Sequence, residues 1–175
     1  MNLRALSFVP AGALLALSAL ASLAALPAQA STNKTATFVV SLTVSSDCSI
    51  SANALPFGTA TSALATTALT HNTSLSVTCS SGTSYTLSLD KDSTTGSAIT
   101  SRLMGGTGSN TQTVQFQLYI DSGLSNIFGD GTNGSTVSGT GTGSAVSVPI
   151  YGQVPAQPVP AADSYTTTET ATISF

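Results

Sequence analysis

The sequence predicts an all-β protein, an antiparallel sandwich of short strands. Two observations carry that prediction. Apolar residues recur at every second position in several separate runs, the period at which a pleated strand buries one face. Between the runs lie turn-forming clusters, among them Gly105-Gly106-Thr107-Gly108, Gly129-Asp130-Gly131 and Gly139-Thr140-Gly141-Thr142-Gly143. A third observation is negative: beyond the first thirty residues no window carries a convincing helical period. Ala60 to Leu69 comes nearest, and its three Thr and missing N-terminal capping pattern weigh against a helix.

The first element is a leader. Residues 1–30 carry one cation, Arg4, then an Ala/Leu stretch from Ala11 to Leu26, Pro27 and the small-residue tripeptide Ala28-Gln29-Ala30. That is the pattern of a secretory signal peptide. A membrane anchor fits less well because the run is Ala-rich and ends in proline and a cleavage site, so no membrane span is expected after signal removal. Cleavage would leave Ser31 to Phe175, or 175 − 30 = 145 residues, enough for one domain with a single core.

The strands follow in order. Ala36, Phe38, Val40, Leu42 and Val44 alternate with Thr37, Val39, Ser41 and Thr43, which predicts a strand directly after the leader. Leu75-Val77-Cys79 and Tyr85-Leu87-Leu89 flank the turn Ser81-Gly82, and Val114-Phe116-Leu118-Ile120 and Val146-Val148-Ile150 continue the pattern. Pro155, Pro158 and Pro160 stop the ladder after Tyr151-Gly152-Gln153, which predicts a crossover. The last strand is expected over about Tyr165 to Phe175, with Ala171, Ile173 and Phe175 in phase. An apolar strand at that place wants a neighbour on its free side, and none follows it in the sequence. A sheet short of one strand and a free strand at the other end suggest exchange between molecules.

Composition narrows the function classes. Only 6% of the chain is charged, with Ser, Thr and Gly at most exposed-looking positions, yet disorder needs low hydrophobicity and high net charge, so the alternating segments are expected to fold. Without the leader, Lys34, Lys91 and Arg102 stand against seven acidic residues, a net charge of 3 − 7 = −4. Nucleic acid and anionic lipid are therefore not expected as partners. Cys48 and Cys79 are an even cysteine count in an exported chain, which predicts a disulfide. Closing a loop of about thirty residues would stabilise the fold by roughly 3–4 kcal/mol in the chain-entropy treatment.

No metal, cofactor or catalytic set is expected. Two thiols and the single histidine, His71, cannot complete a tetrahedral site, and His71 has no positioned acid–base partner. Asp90 and Asp92 beside Lys91 read as a turn, and Asp130-Gly131-Thr132-Asn133-Gly134 lacks the spaced ligands and closing Glu of a calcium loop. Asn33, Asn72 and Asn133 each head an N-x-[ST] triplet, a pattern frequent by chance in such a chain. Arg102 suggests an ion pair or edge protection, and Tyr151 and Tyr165 read as packing residues at strand ends. With neither a nucleophile–base pair nor a ligand cluster, the chain reads as a non-enzyme.

Several segments in order, Ser74-Leu75-Ser76-Val77-Thr78-Cys79-Ser80-Ser81-Gly82-Thr83, Tyr85-Thr86-Leu87-Ser88-Leu89-Asp90, Ser101-Arg102-Leu103-Met104, Phe128-Gly129-Asp130-Gly131-Thr132, Val148-Pro149-Ile150-Tyr151-Gly152 and Asp163-Ser164-Tyr165 to Phe175, carry a family resemblance. Together they resemble the spore coat protein U domain family, which includes subunits of archaic chaperone–usher pili. The resemblance implies an incomplete immunoglobulin-like sandwich lacking its last strand. A periplasmic chaperone would supply a temporary strand, and an outer-membrane usher would then exchange it for the N-terminal segment of the next identical or related subunit, giving a head-to-tail polymer. On this reading residues 31–46 are the donor segment, with Phe38, Val40, Leu42 and Val44 inserting, and residues 47–175 are the sandwich, with Ala171, Ile173 and Phe175 on the acceptor strand. The location implied is the periplasm and then the cell surface, as a pilus that supports adhesion and biofilm formation. Alternatives with the same fold are a secreted coat protein and a stand-alone surface-binding module.

Overall fold

Alternation in the sequence becomes alternation of burial in the fold. The computed structural model describes residues 31–175, so the signal-peptide expectation for residues 1–30 lies outside the described residues. These form eight strands: β1 (Cys48–Ala52), β2 (Leu69–Cys79), β3 (Ser84–Leu89), β4 (Arg102–Gly105), β5 (Thr113–Tyr119), β6 (Val137–Thr140), β7 (Val146–Val154) and β8 (Ala171–Ser174). Every pairing between them is antiparallel. The expected all-β class therefore holds.

The strands make two sheets, one in the order β1-β2-β7-β5-β4 and one in the order β6-β3-β8. Their inner faces supply one core: Leu75 and Val77 from β2, Val148 and Ile150 from β7 and Phe116 from β5 meet Leu87 and Leu89 from β3, all buried. Alternation in β7 runs on through Gly152 to Val154, so this strand is longer than Val146-Val148-Ile150 alone. Pro149 is tolerated inside it because β5 pairs only with Tyr151 to Gln153, leaving position 149 with a partner, Ser74, on one side only.

Four local outcomes differ from the sequence expectations. β1, β4 and β6 are additional strands, each of five residues or fewer. The final strand is four residues, Ala171–Ser174, because the chain before it is occupied elsewhere: Thr166 exchanges both backbone hydrogen bonds with Gly105 of β4. Ser62–Ala65 forms one turn of 3-10 helix, capped by Thr61 Oγ1, which accepts from the Ala63 amide. Residues 31–47, including the alternating stretch 36–44, form no strand. A lone extended segment leaves its backbone donors and acceptors to water, and strand structure needs a neighbour to pair with.

The disulfide forms as expected, joining Cys48 to Cys79. These residues are also directly paired across the β1–β2 ladder. The bond thus sits on the first residue of β1 and the last of β2.

Candidate functional site

The candidate site of the described residues is a cleft. Among the described residues no group of three or more His, Cys, Asp or Glu side chains is placed to hold a metal, and no helix is long and apolar enough to cross a membrane. The cleft has a volume of about 1210 Å³ and reaches the core between the sheets, with Leu75, Phe116, Ile150 and Leu89 on its floor. Well-packed interiors leave few voids larger than a water molecule. An opening of this size onto a sandwich core has the dimensions of a binding groove.

Its walls come from two connections. One is residues 53–62, in which Leu55 and Phe57 lie against the bare backbone of Gly152. A Cβ on Gly152 would come within 2.7 Å of Leu55 Cδ2 and 2.8 Å of Phe57 Cζ, so the glycine permits this approach. Phe57 also meets Phe116 edge-on, with ring centroids 6.2 Å apart. The other wall is the segment 159–169 that leads into β8, and Ala171 of β8 also borders the cleft.

β8 is the terminal strand of its sheet. It pairs with β3 through Ala171↔Leu89 to Ser174↔Thr86, and its other edge carries no strand among the described residues. Of the three residues expected on this strand, Ala171 and Ile173 pack against the core and Phe175 is 58% exposed. The expected donor side chains Phe38, Val40, Leu42 and Val44 are 86%, 83%, 87% and 78% exposed. These are large apolar groups that water meets unfavourably.

The lead into β8 is pinned by a buried polar network whose members lie far apart in the sequence. Arg102, fully buried on β4, uses all five N–H donors. Nε pairs with Glu169 Oε1 at 2.9 Å, Nη1 donates to Ile99 O and Gln117 Oε1, and Nη2 donates to Asp90 O and Phe128 O. The ion-pair expectation for Arg102 is thus realised and the edge-protecting one is not, since β4 lies at a sheet edge but this side chain points inward. Asp92, read as half of a turn, is buried as well and is equally saturated. It accepts from the Thr94 and Leu103 amides and the Ser97 and Thr167 hydroxyls.

Charge states follow from these partners. Burial pushes the Asp92 carboxyl up, but the hydrogen bonds from Ser97, Thr94, Leu103 and Thr167 outweigh it and hold the group below the usual range. Glu169 goes the other way. Burial raises it to about 7 despite the attraction of Arg102, with Asp92 and Asp90 adding repulsion. Its Oε2 is buried without a hydrogen-bond partner.

The remaining single-residue readings resolve simply. His71 lies on β2, exposed, opposite Gly152. Asp130 makes a polar turn by accepting from the Thr132 and Asn133 amides. Tyr165 packs against the core while its hydroxyl donates to Ala161 O and accepts from Asn110.

An immunoglobulin-like sandwich whose second sheet stops at β8, beside a cleft into its own core, is the class this architecture defines. The chain belongs to the Spore Coat Protein U domain family, whose model matches residues 34–172. The match spans the exposed segment as well as the sandwich. A solved chain of similar fold comes from the chaperone–tip adhesion subunit pre-assembly complex of archaic chaperone–usher Csu pili of Acinetobacter baumannii. It is 22% identical with a TM-score of 0.53, and the match covers 76% of this chain and 40% of that one. This chain thus spans less than half of that neighbour's length. No curated protein matches it.

Proposed function

We propose that this protein is a structural subunit of a chaperone–usher pilus and that it polymerises by inserting residues 35–44 of one copy into the cleft beside β8 of another. The observation that carries the reading is one chain holding both halves of a contact: a β8 edge unpaired among the described residues, beside a cleft that reaches the core, and an exposed apolar segment of strand period. Phe38, Val40, Leu42 and Val44 would enter the cleft on one face of the added strand. Burying four such side chains is worth on the order of 6–12 kcal/mol before ordering costs. Backbone pairing with the free edge of β8 adds to that.

The two surfaces differ, so the contact is head-to-tail and propagates as a filament rather than closing as a dimer. Before insertion the cleft would expose core, which calls for a periplasmic chaperone, with an outer-membrane usher as the place of exchange. Residues 1–30 would act as the export signal, residues 31–46 as the donor and residues 47–175 as the acceptor sandwich. Cell-surface location, adhesion, biofilm support and a structural rather than catalytic role follow from the pilus reading. Deleting residues 31–44 should abolish the ladder of multimers that surface-extracted material gives on a denaturing gel, with chaperone capture retained. An unchanged ladder would refute the proposal.

A further inference from the structure

We infer that the Cys48–Cys79 disulfide transmits tension, carrying pulling force from the N-terminal extension past β1 and straight to the connection between β2 and β3. The inference rests on the fibre reading, because only a polymer joined through its extensions is pulled there. Everything else in it comes from the position of the bond.

Force on the extension reaches the sandwich at Asp47 and Cys48. Cys48 is the first residue of β1 and is paired with Cys79, the last residue of β2. From Cys79 the chain passes through residues 80–83 into β3, which pairs with β8. With β8 as the acceptor strand, the resisting force comes back through β3 and this turn to the same end of the β1–β2 ladder. Antiparallel strands pulled apart at one shared end unzip, since each pair is stressed in turn instead of all together. β1 is poorly placed to resist this, having five residues and, among the described residues, a neighbour on one side only.

The disulfide lies at the pair where unzipping would begin. Just ahead of it, Ser80 N donates to Asp47 O and Asp47 N donates to Ser80 Oγ, closing the fork from outside. With the bond intact, force passes from Cys48 to Cys79 without crossing the β1–β2 hydrogen bonds or the connection 53–68. The first structure to be stressed is then β3, flanked by both β6 and β8.

Forced unfolding is governed by the barrier along the pulling path, so single-molecule pulling reads this directly. The full chain is held by one handle ahead of Thr35 and one at Lys91, an exposed position just past β3. Oxidised molecules should give no early step. Reduction on the tether should add a low-force first step as β1 peels, part of a total gain of about 110 Å for the 31 residues the bond short-circuits. Equal first-rupture forces in both states would overturn the inference. A second variant keeps the test decisive if the reduced sandwich does not stay folded. In oxidised protein, Ser49→Gly with Ser51→Gly weakens β1 at exposed positions, and first-rupture force should not change. A lower rupture force in that variant would show that tension does cross β1. Neither result depends on whether polymers form, so failure here and failure of the polymer reading are separate outcomes.

Discussion

Arg102 shows how a single residue can fix a strand it does not belong to. Its guanidinium sits on β4, but the Nε pairing with Glu169 sets the position of the chain two residues before β8 begins. Removing one partner of a buried pair leaves the other uncompensated, at a typical cost of 3–5 kcal/mol. Arg102→Met should therefore lower the unfolding free energy in denaturant by about that much, and Arg102→Lys should recover little of it because an ammonium cannot reach five acceptors in one plane. Glu169 makes a pH prediction. Its folded-state value of about 7 lies above the ordinary 4.5, so the native state binds this proton more tightly than the unfolded chain. The stabilisation is complete below about pH 4.5 and is lost as pH rises through about 7. Asp92, held low, works in the opposite sense and loses its contribution only as pH falls below the usual carboxylate range. Unfolding measured from pH 8 down to pH 5 should show wild type gaining stability relative to Glu169→Gln. A constant difference would mean that Glu169 stays ionised throughout.

At the scale of elements, the connection 53–62 and strand β7 are made for each other by one missing side chain. Gly152→Val would drive a branched side chain into Leu55 and Phe57, at a cost of about 1–3 kcal/mol for overpacking. Because that wall borders the cleft, multimer yield should fall along with monomer stability. Leu42→Asp should act differently, abolishing multimers with little change in the unfolding of the sandwich itself, since Leu42 is 87% exposed. How much was legible beforehand varied by element. The long strands were readable because their inward positions are apolar over several periods, as in β2, β5 and β7. β4 was hidden because the inward residue is an arginine, and its burial depends on acceptors that lie from 3 to 67 residues away in sequence. β6 is short and contains Gly139, over which the ring of its cross-strand partner Tyr85 lies. No local pattern announces either. The last strand is shorter than its sequence pattern because Tyr165 to Thr170 looks like strand but spends its backbone crossing from β4 to β3. The cleft could be inferred only as a missing neighbour for Ala171, Ile173 and Phe175. Its walls, and Asp92 and Glu169 behind them, required the fold.

At the scale of the whole molecule, the proposed assembly turns on one complementarity: residues 35–44 are strand-like in period without forming a strand, and β8 is a strand whose second edge carries no strand among the described residues. A polymer built on it should persist kinetically, because dissociation has to expose core before anything is regained. The most direct test puts a photo-reactive side chain in place of Leu42 and assembles an equal mixture of isotopically light and heavy chains. Strand insertion between copies predicts crosslinked peptides that join light to heavy chains, with the partner peptide drawn from the cleft, around Leu75, Phe116 or Ile150. Crosslinks confined to chains of one isotope, or partner peptides that lie outside the cleft, would contradict it.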